Sequence, residues 1–199
     1  ICAGLAIILL AAPLAALSAS GEAVNERSAD KSSARGQTPS VSAYPTYDEI
    51  YAETESMCSS NDFMKYRDLG YTSWEGRALF AVELSDDGSD DSEPKALVMG
   101  THHGDEKVSA VVPYFFMKYV EMNYGQDDNI TSLIEDIDVW VVPVVNPDGY
   151  EASTRQNARP GGGVDINRNY WYHWGDNAGT SPGSYNYHGP RPFSEPETK

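Results

Sequence analysis

Two cysteines in 199 residues, Cys2 and Cys58, cannot build a disulfide framework, so the fold has to stand on its own core. Basic residues are scarce too. Against 30 aspartates and glutamates there are 14 lysines and arginines, for a formal charge of −16. Such a surface repels nucleic acid and anionic lipid, and neither is expected as a partner. The chain also lacks a methionine at position 1 and any basic stretch ahead of its first apolar run, so it reads as beginning inside its own frame. That run, residues 1–17, is rich in Ala, Leu and Ile with Pro13 inside, and Ser18, Ala19 and Ser20 follow it. The pattern matches the apolar and cleavage regions of a secretory signal peptide over 1–20, which would remove Cys2 with it. The alternative is an N-terminal membrane anchor with the protein facing outside, because the run is near the shortest length that spans a bilayer. The expectation is a secreted, extracellular protein with no stable membrane association once the signal is gone.

Residues 21–43 are rich in Ser, Ala and charge without a hydrophobic period, and read as a disordered linker or short pro-segment. The fold is expected from Tyr44 onward. Ile50, Tyr51 and Thr54 predict a short helix over 47–57. Strands are expected over 64–69 and 77–84, joined through a turn at 70–76. The acidic run 86–93 lacks the ligand spacing of an EF-hand and reads as an exposed hairpin loop. A short apolar strand over 97–100 follows it. Val108, Val111, Val112, Phe115, Phe116, Tyr119 and Val120 then trace one face of a helix over 107–124, with Gly125 as its stop. Pro113 should kink that helix or mark where regular structure begins. A short helix near 132–135 leads to the apolar run 139–145, a strand covered on both faces whose ladder must end by Pro143. Asn129 and Thr131 frame a glycosylation sequon on a surface turn. Strand, helix and strand in this order make a βαβ unit, with ligands expected at the carboxyl ends of the strands.

Polar clusters follow those strand ends. The first is His102, His103, Gly104, Asp105 and Glu106. His103 and Glu106 can meet one ion if the chain turns between them, and Gly104 permits the turn. Imidazole nitrogen with carboxylate oxygen suits a first-row divalent ion, zinc before others. His102 with Glu106 is the alternative pair, and a plain surface hydrogen bond is the alternative to either. The second cluster, Asn146 to Glu151, has the composition of an ordinary turn. The third carries Arg155, Arg159, Asp165, Asn167 and Arg168 around a glycine run. Its plain reading is arginines meeting carboxylates on an acidic protein. On one rim, a metal pair, arginines and asparagines together suit an anionic substrate end beside a metal-activated water.

With these motifs, and with the stretch from Tyr187 to Thr198, residues 44–199 resemble the zinc carboxypeptidases of the carboxypeptidase A and T type. The resemblance implies an α/β fold, three-layer α/β/α with a mixed, largely parallel central sheet. Residues 44–199 would be the N-terminal part of the catalytic domain, with the sheet incomplete at the C-terminus. It implies one Zn2+ per complete domain, bound by His103 and Glu106, with Asp165 orienting His103. Carboxypeptidase A is itself a standing example of a His₂Glu catalytic zinc site. Arg155 is implied to polarise the scissile carbonyl and steady the oxyanion, and Asn167 and Arg168 to grip the terminal carboxylate of a peptide or protein. His102 is implied to be a neighbour, and His173 and His188 to be structural. In such enzymes the third ligand, a glutamate base and a carboxylate-binding tyrosine come further on, so this chain is expected to be a truncated fragment, inactive alone. It would end as a helix begins, with Ser194 and Glu197 as a capping box. Asp105 departs from the family, whose digestive members carry arginine there. The implied activity is hydrolysis of the C-terminal peptide bond by metal-activated water. The alternatives are a related zinc amidohydrolase acting on cell-wall peptides and a non-catalytic module that binds peptide C-termini.

Overall fold

A computed structural model of the chain describes residues 44–86 and 93–199. The signal-peptide and linker expectations for 1–43 lie outside those residues. The chain enters through α1 (Tyr47–Ser60), which Thr46 starts with a capping box. Thr46 Oγ1 accepts the Glu49 N–H at 3.2 Å, and the Glu49 carboxylate accepts the Thr46 N–H at 2.7 Å. Tyr47, Ile50, Thr54 and Met57, spaced three and four apart, form its buried stripe. Strands β1 (Met64–Thr72) and β2 (Ala78–Leu84) follow as an antiparallel pair, closed by a turn in which the Ser73 N–H donates to the Arg77 carbonyl.

The βαβ unit is present. β3 (Lys95–Met99) leads through α2 (Val108–Asn123) and α3 (Asp128–Asp136) to β4 (Asp138–Val142), and β3 and β4 pair in parallel. β4 also pairs antiparallel with β2, so the sheet is mixed, in the order β1-β2-β4-β3. Because β4 lies between β2 and β3, the acidic run 86–93 does not close a hairpin, and its residues 87–92 fall outside the described ones. The sequon residue Asn129 sits in the first turn of α3, capped by Asp127, rather than on a turn. Gly125 follows α2 with φ +74, a left-handed stop that glycine reaches without strain.

Pro113 neither starts α2 nor interrupts it. A Cβ on Gly100 would lie 2.9 Å from Pro113 Cγ and 2.2 Å from the Ser109 carbonyl. The carbonyl that a helical proline leaves without its N–H partner therefore sits against a residue with no side chain, and the helix packs close to the end of β3.

Strand alternation sends Val82 and Leu84, Val139 and Val141 into one cluster with Ile50 and Met57 of α1, Met117 and Val120 of α2, and Ile134 of α3. Burying each large aliphatic side chain contributes about 1.5–3 kcal/mol, and Leu84→Ala would cost about 2–5 kcal/mol. The alternate residues Leu97 and Met99 of β3 point away from this cluster and are exposed. β4 ends at Val142, just before Pro143, as the missing N–H of proline requires. Irregular pairing continues beyond it: the Val145 N–H donates to the Gly100 carbonyl at 2.9 Å and the Asn146 N–H to the Thr101 carbonyl at 3.0 Å. The segments leaving β3 and β4 thus run side by side into the polar clusters.

Candidate functional site

Thr101 opens the first cluster with φ +56, a left-handed conformation that costs a non-glycine residue energy. Its surroundings hold it there. The Ser109 hydroxyl accepts the Thr101 N–H at 3.1 Å, and the Thr101 carbonyl accepts from Asn146. Gly104 is needed for close approach rather than for the turn, since its φ is not positive. A Cβ there would come within 1.8 Å of the Gly149 backbone. Gly149 belongs to α4 (Pro147–Ala152), which the Asn146 side chain caps by accepting the Gly149 N–H at 2.9 Å. Two glycines in contact therefore let the first cluster sit directly on the second.

The turn presents His103 to Glu106, with Nδ1 2.9 Å from Oε1. His103 is buried and Glu106 largely open to solvent. The other ring nitrogen, Nε2, lies 3.0 Å from Asp165 Oδ1. Both facing groups are carboxylates, but the Arg155 guanidinium, which can only donate, also stands against Nδ1, so Nδ1 offers its lone pair and Nε2 carries the proton. Two electron-pair donors then converge on one point, an arrangement that fits a cation between them. Arg155 Nη1 stands 3.1 Å from the same Nδ1 and already brings positive charge to it. A catalytic zinc normally takes three protein ligands. Among the described residues no group of three or more His, Cys, Asp and Glu side chains is arranged to hold a metal, and His103 and Glu106 supply two donors.

Asp165 is fully buried and uses both oxygens. Oδ1 serves His103, and Oδ2 accepts from Arg155 Nε at 3.0 Å and Nη2 at 2.7 Å. Burial works against the charge of Arg155, but the Asp165 carboxylate outweighs it and raises the guanidinium pKa. His102 turns elsewhere. Its Nε2 is 2.9 Å from the Tyr170 hydroxyl, and burial, reinforced by the adjacent His103, lowers its pKa. Burial also pushes Tyr170 up to about 12. The structure therefore gives Glu106 to His103 and not to His102.

Asn167 and Arg168 lie on a short 3₁₀ turn, Ile166–Arg168, immediately after Asp165. Both line a cavity of about 220 Å³ that also touches Tyr170, Tyr172, His173 and Asp176. Among the described residues Arg168 Nη1 donates to its neighbour's carbonyl, Asn167 O at 3.1 Å. His173 pairs with Asp176 at 2.8 Å on the exposed wall of this cavity. His188 is buried, 2.6 Å from the Gly189 carbonyl and with its ring 4.1 Å from that of Trp174.

Several supports escaped the sequence reading. Asn146 Nδ2 donates to the carbonyls of His102 at 3.2 Å and Arg155 at 3.3 Å, tying the first cluster to the third. Buried Asp148 accepts from Ser73, Glu75 and Arg77, which anchors α4 to the β1–β2 turn. Asn157 Nδ2 reaches both Glu195, at 3.0 Å, and Glu197, at 3.1 Å. Burial would raise the Glu195 carboxyl, but hydrogen bonds from Ser194, Asn157, Trp74 and Arg159 together hold it below the usual range. The expected capping box is absent. Ser194 Oγ instead donates to Glu195 at 2.6 Å, and a 3₁₀ turn, Pro196–Thr198, begins without a side-chain cap.

A family model described as zinc carboxypeptidase matches residues 50–199. Carboxypeptidase A2 of Rattus norvegicus is 34% identical over 178 residues, covering 83% of this chain and 42% of that protein. The crystal structure of thrombin-activatable fibrinolysis inhibitor superposes with a TM-score of 0.72 at 28% identity, over 78% of this chain and 42% of that one. Carboxypeptidase A from Helicoverpa armigera gives 0.70 at 28% identity, over 78% of this chain and 40% of that one. The chain thus spans less than half the length of these relatives.

Proposed function

The chain belongs to the zinc carboxypeptidase family, and from that premise we propose that the whole protein is a zinc metallocarboxypeptidase that removes C-terminal residues from peptides or proteins. The observation that carries the reading is the placement of His103 between two carboxylates, with Nε2 at Asp165 and Nδ1 at Glu106. His103 and Glu106 would hold one Zn2+ per domain. Bound there, the ion would supply Lewis acidity and lower the pKa of a water to about 7.

The remaining steps belong to the protein's own side chains. Asp165 fixes the tautomer and the plane of the His103 ring, and its second oxygen sets the direction of Arg155. Arg155 would direct Nη1 at the carbonyl oxygen of the scissile bond and stabilise its developing negative charge, a contribution of about 3 kcal/mol for a donor of this kind. Asn167 and Arg168, which line the cavity and follow Asp165 closely in the chain, would take the substrate's terminal carboxylate, which confines cleavage to chain ends. Export belongs to the same proposal and rests on the composition of residues 1–20. No helix among the described residues is long and apolar enough to cross a membrane.

The test is direct. The full-length protein, dialysed and subjected to elemental analysis, should carry about one zinc per chain. It should release only the last residue of an unblocked peptide, identified by amino-acid analysis. Cleavage at internal bonds, or release that persists after complete removal of zinc by a chelator, would contradict the reading.

A further inference from the structure

One aromatic ring beside the site has no part in this scheme. Tyr185 is 71% exposed, and its ring centroid lies 4.6 Å from the Arg155 guanidinium carbon. An exposed tyrosine is ordinary by itself. Its flanks, however, are firmly held. The carbonyl of Ser184 accepts from Gln156 Nε2 at 2.6 Å, and Asn186 Nδ2 donates to the Asn177 carbonyl at 2.8 Å. Tyr187 is buried, and its carbonyl accepts the Asp165 N–H at 2.8 Å. Gln156 follows Arg155 in the chain and Asp165 is its counter-ion, so the backbone beneath the ring is tied to both sides of the guanidinium it covers.

Arg155 is consequently bounded in three directions. Nε and Nη2 face Asp165, Nη1 faces His103, and the guanidinium carbon lies over the Tyr185 ring. The ring displaces water from that side, which strengthens the field of the cation where it meets a substrate oxygen. Position decides what else the ring can touch. Tyr185 does not line the cavity at Asn167 and Arg168. That cavity takes the terminal residue and Arg155 the scissile carbonyl in the proposed function, on which this step rests. A group that touches Arg155 but stands outside the cavity faces the part of the peptide ahead of the cleaved bond.

The geometry points to Tyr185 as the residue that positions Arg155 and forms the wall reading the side chain just before the scissile bond. One ring face lies on the guanidinium, and the other is open to stack on a flat or apolar side chain. The favoured substrates are therefore peptides with an aromatic residue in that place.

The experiment uses the full-length, zinc-loaded protein and peptides that share one terminal residue but carry Gly, Leu or Phe before it. The unmutated protein should favour Phe over Gly in kcat/KM. Tyr185→Ala should reduce that ratio about three- to tenfold, mainly through KM, and should lower kcat severalfold on every peptide as Arg155 loosens. Tyr185→Phe keeps the ring and loses only the hydroxyl's interaction with Arg155, so it should preserve the Phe-to-Gly ratio and lower kcat less than Tyr185→Ala. Binding of the same peptides is measured by calorimetry in parallel. If no terminal residue is released, the carboxypeptidase reading fails, while the Phe-to-Gly binding ratio and its loss in Tyr185→Ala still decide this one. An unchanged ratio in Tyr185→Ala, or a Tyr185→Phe protein that behaves like Tyr185→Ala, would overturn it.

Discussion

The two halves of the candidate site are built to opposite standards. Around His103 and Arg155 the side chains are cross-linked and, Glu106 apart, buried, with the Arg155 side chain only 14% exposed and Asp165 bonded through both oxygens. Around Asn167 and Arg168 the side chains stand open, and Arg168 holds little more than the carbonyl of its own neighbour. The difference follows from the charge each half has to meet. A donor aimed at charge that develops only during reaction must already be in place, because reorganising it then would cost the stabilisation it supplies. A group that captures a chain end already charged can stay solvated until the ligand arrives, and orders only on binding.

Breaking the buried half should have the largest consequences. His103→Ala or Glu106→Ala in the full-length protein should abolish zinc stoichiometry in elemental analysis, while His102→Ala, whose ring meets Tyr170 instead, should leave it nearly intact. Loss of zinc in His102→Ala alone would reverse the ligand assignment. Arg155→Ala should come next, lowering kcat by about 10²–10³ with a smaller change in KM, as measured by steady-state kinetics.

How far the sequence led can be judged from the same two halves. The strands and α2 were legible because their apolar spacing is local, and His103, Glu106 and Asp165 come together as their motifs implied. Sheet order was not legible. Nothing in the pattern of β2 and β3 records that β4 inserts between them, since pairing is chosen at long range. Gly104 has the look of a turn glycine in the sequence but is required by its contact with Gly149, because glycine serves both purposes and only the fold separates them. Asn146 sits in a stretch with the composition of a turn, whereas its bonds to the carbonyls of His102 and Arg155 join segments far apart in the chain. Tyr185 gave no signal at all, standing in a loop of mixed composition whose path brings it over Arg155.

Milder changes sharpen the contrast. Asp165→Asn keeps the size of the side chain but removes the charge that fixes His103, and should weaken zinc affinity by about 10–100-fold in a chelator competition. The smallest effect on turnover is expected at Glu197, behind the buried half. Burial pushes its carboxyl up to about 7, and one oxygen has no hydrogen-bond partner. The folded state therefore holds this proton more tightly than the unfolded chain. Its contribution to stability is present below the ordinary carboxylate range and is lost as pH rises towards about 7. Glu197→Gln should remove that loss, so denaturant titrations at pH 5 and pH 8 should differ less than in the unmutated protein.

The most direct test of the division is the rate ratio between a peptide with a free C-terminus and the same peptide amidated, measured on the unmutated protein, Arg168→Ala and Arg155→Ala. The unmutated protein should prefer the free acid strongly. Arg168→Ala should raise KM for the free acid about tenfold and erase most of the preference, whereas Arg155→Ala should slow both peptides and leave the ratio standing. An amide cut as fast as the free acid by the unmutated protein, or a ratio that collapses in Arg155→Ala and survives in Arg168→Ala, would contradict the account.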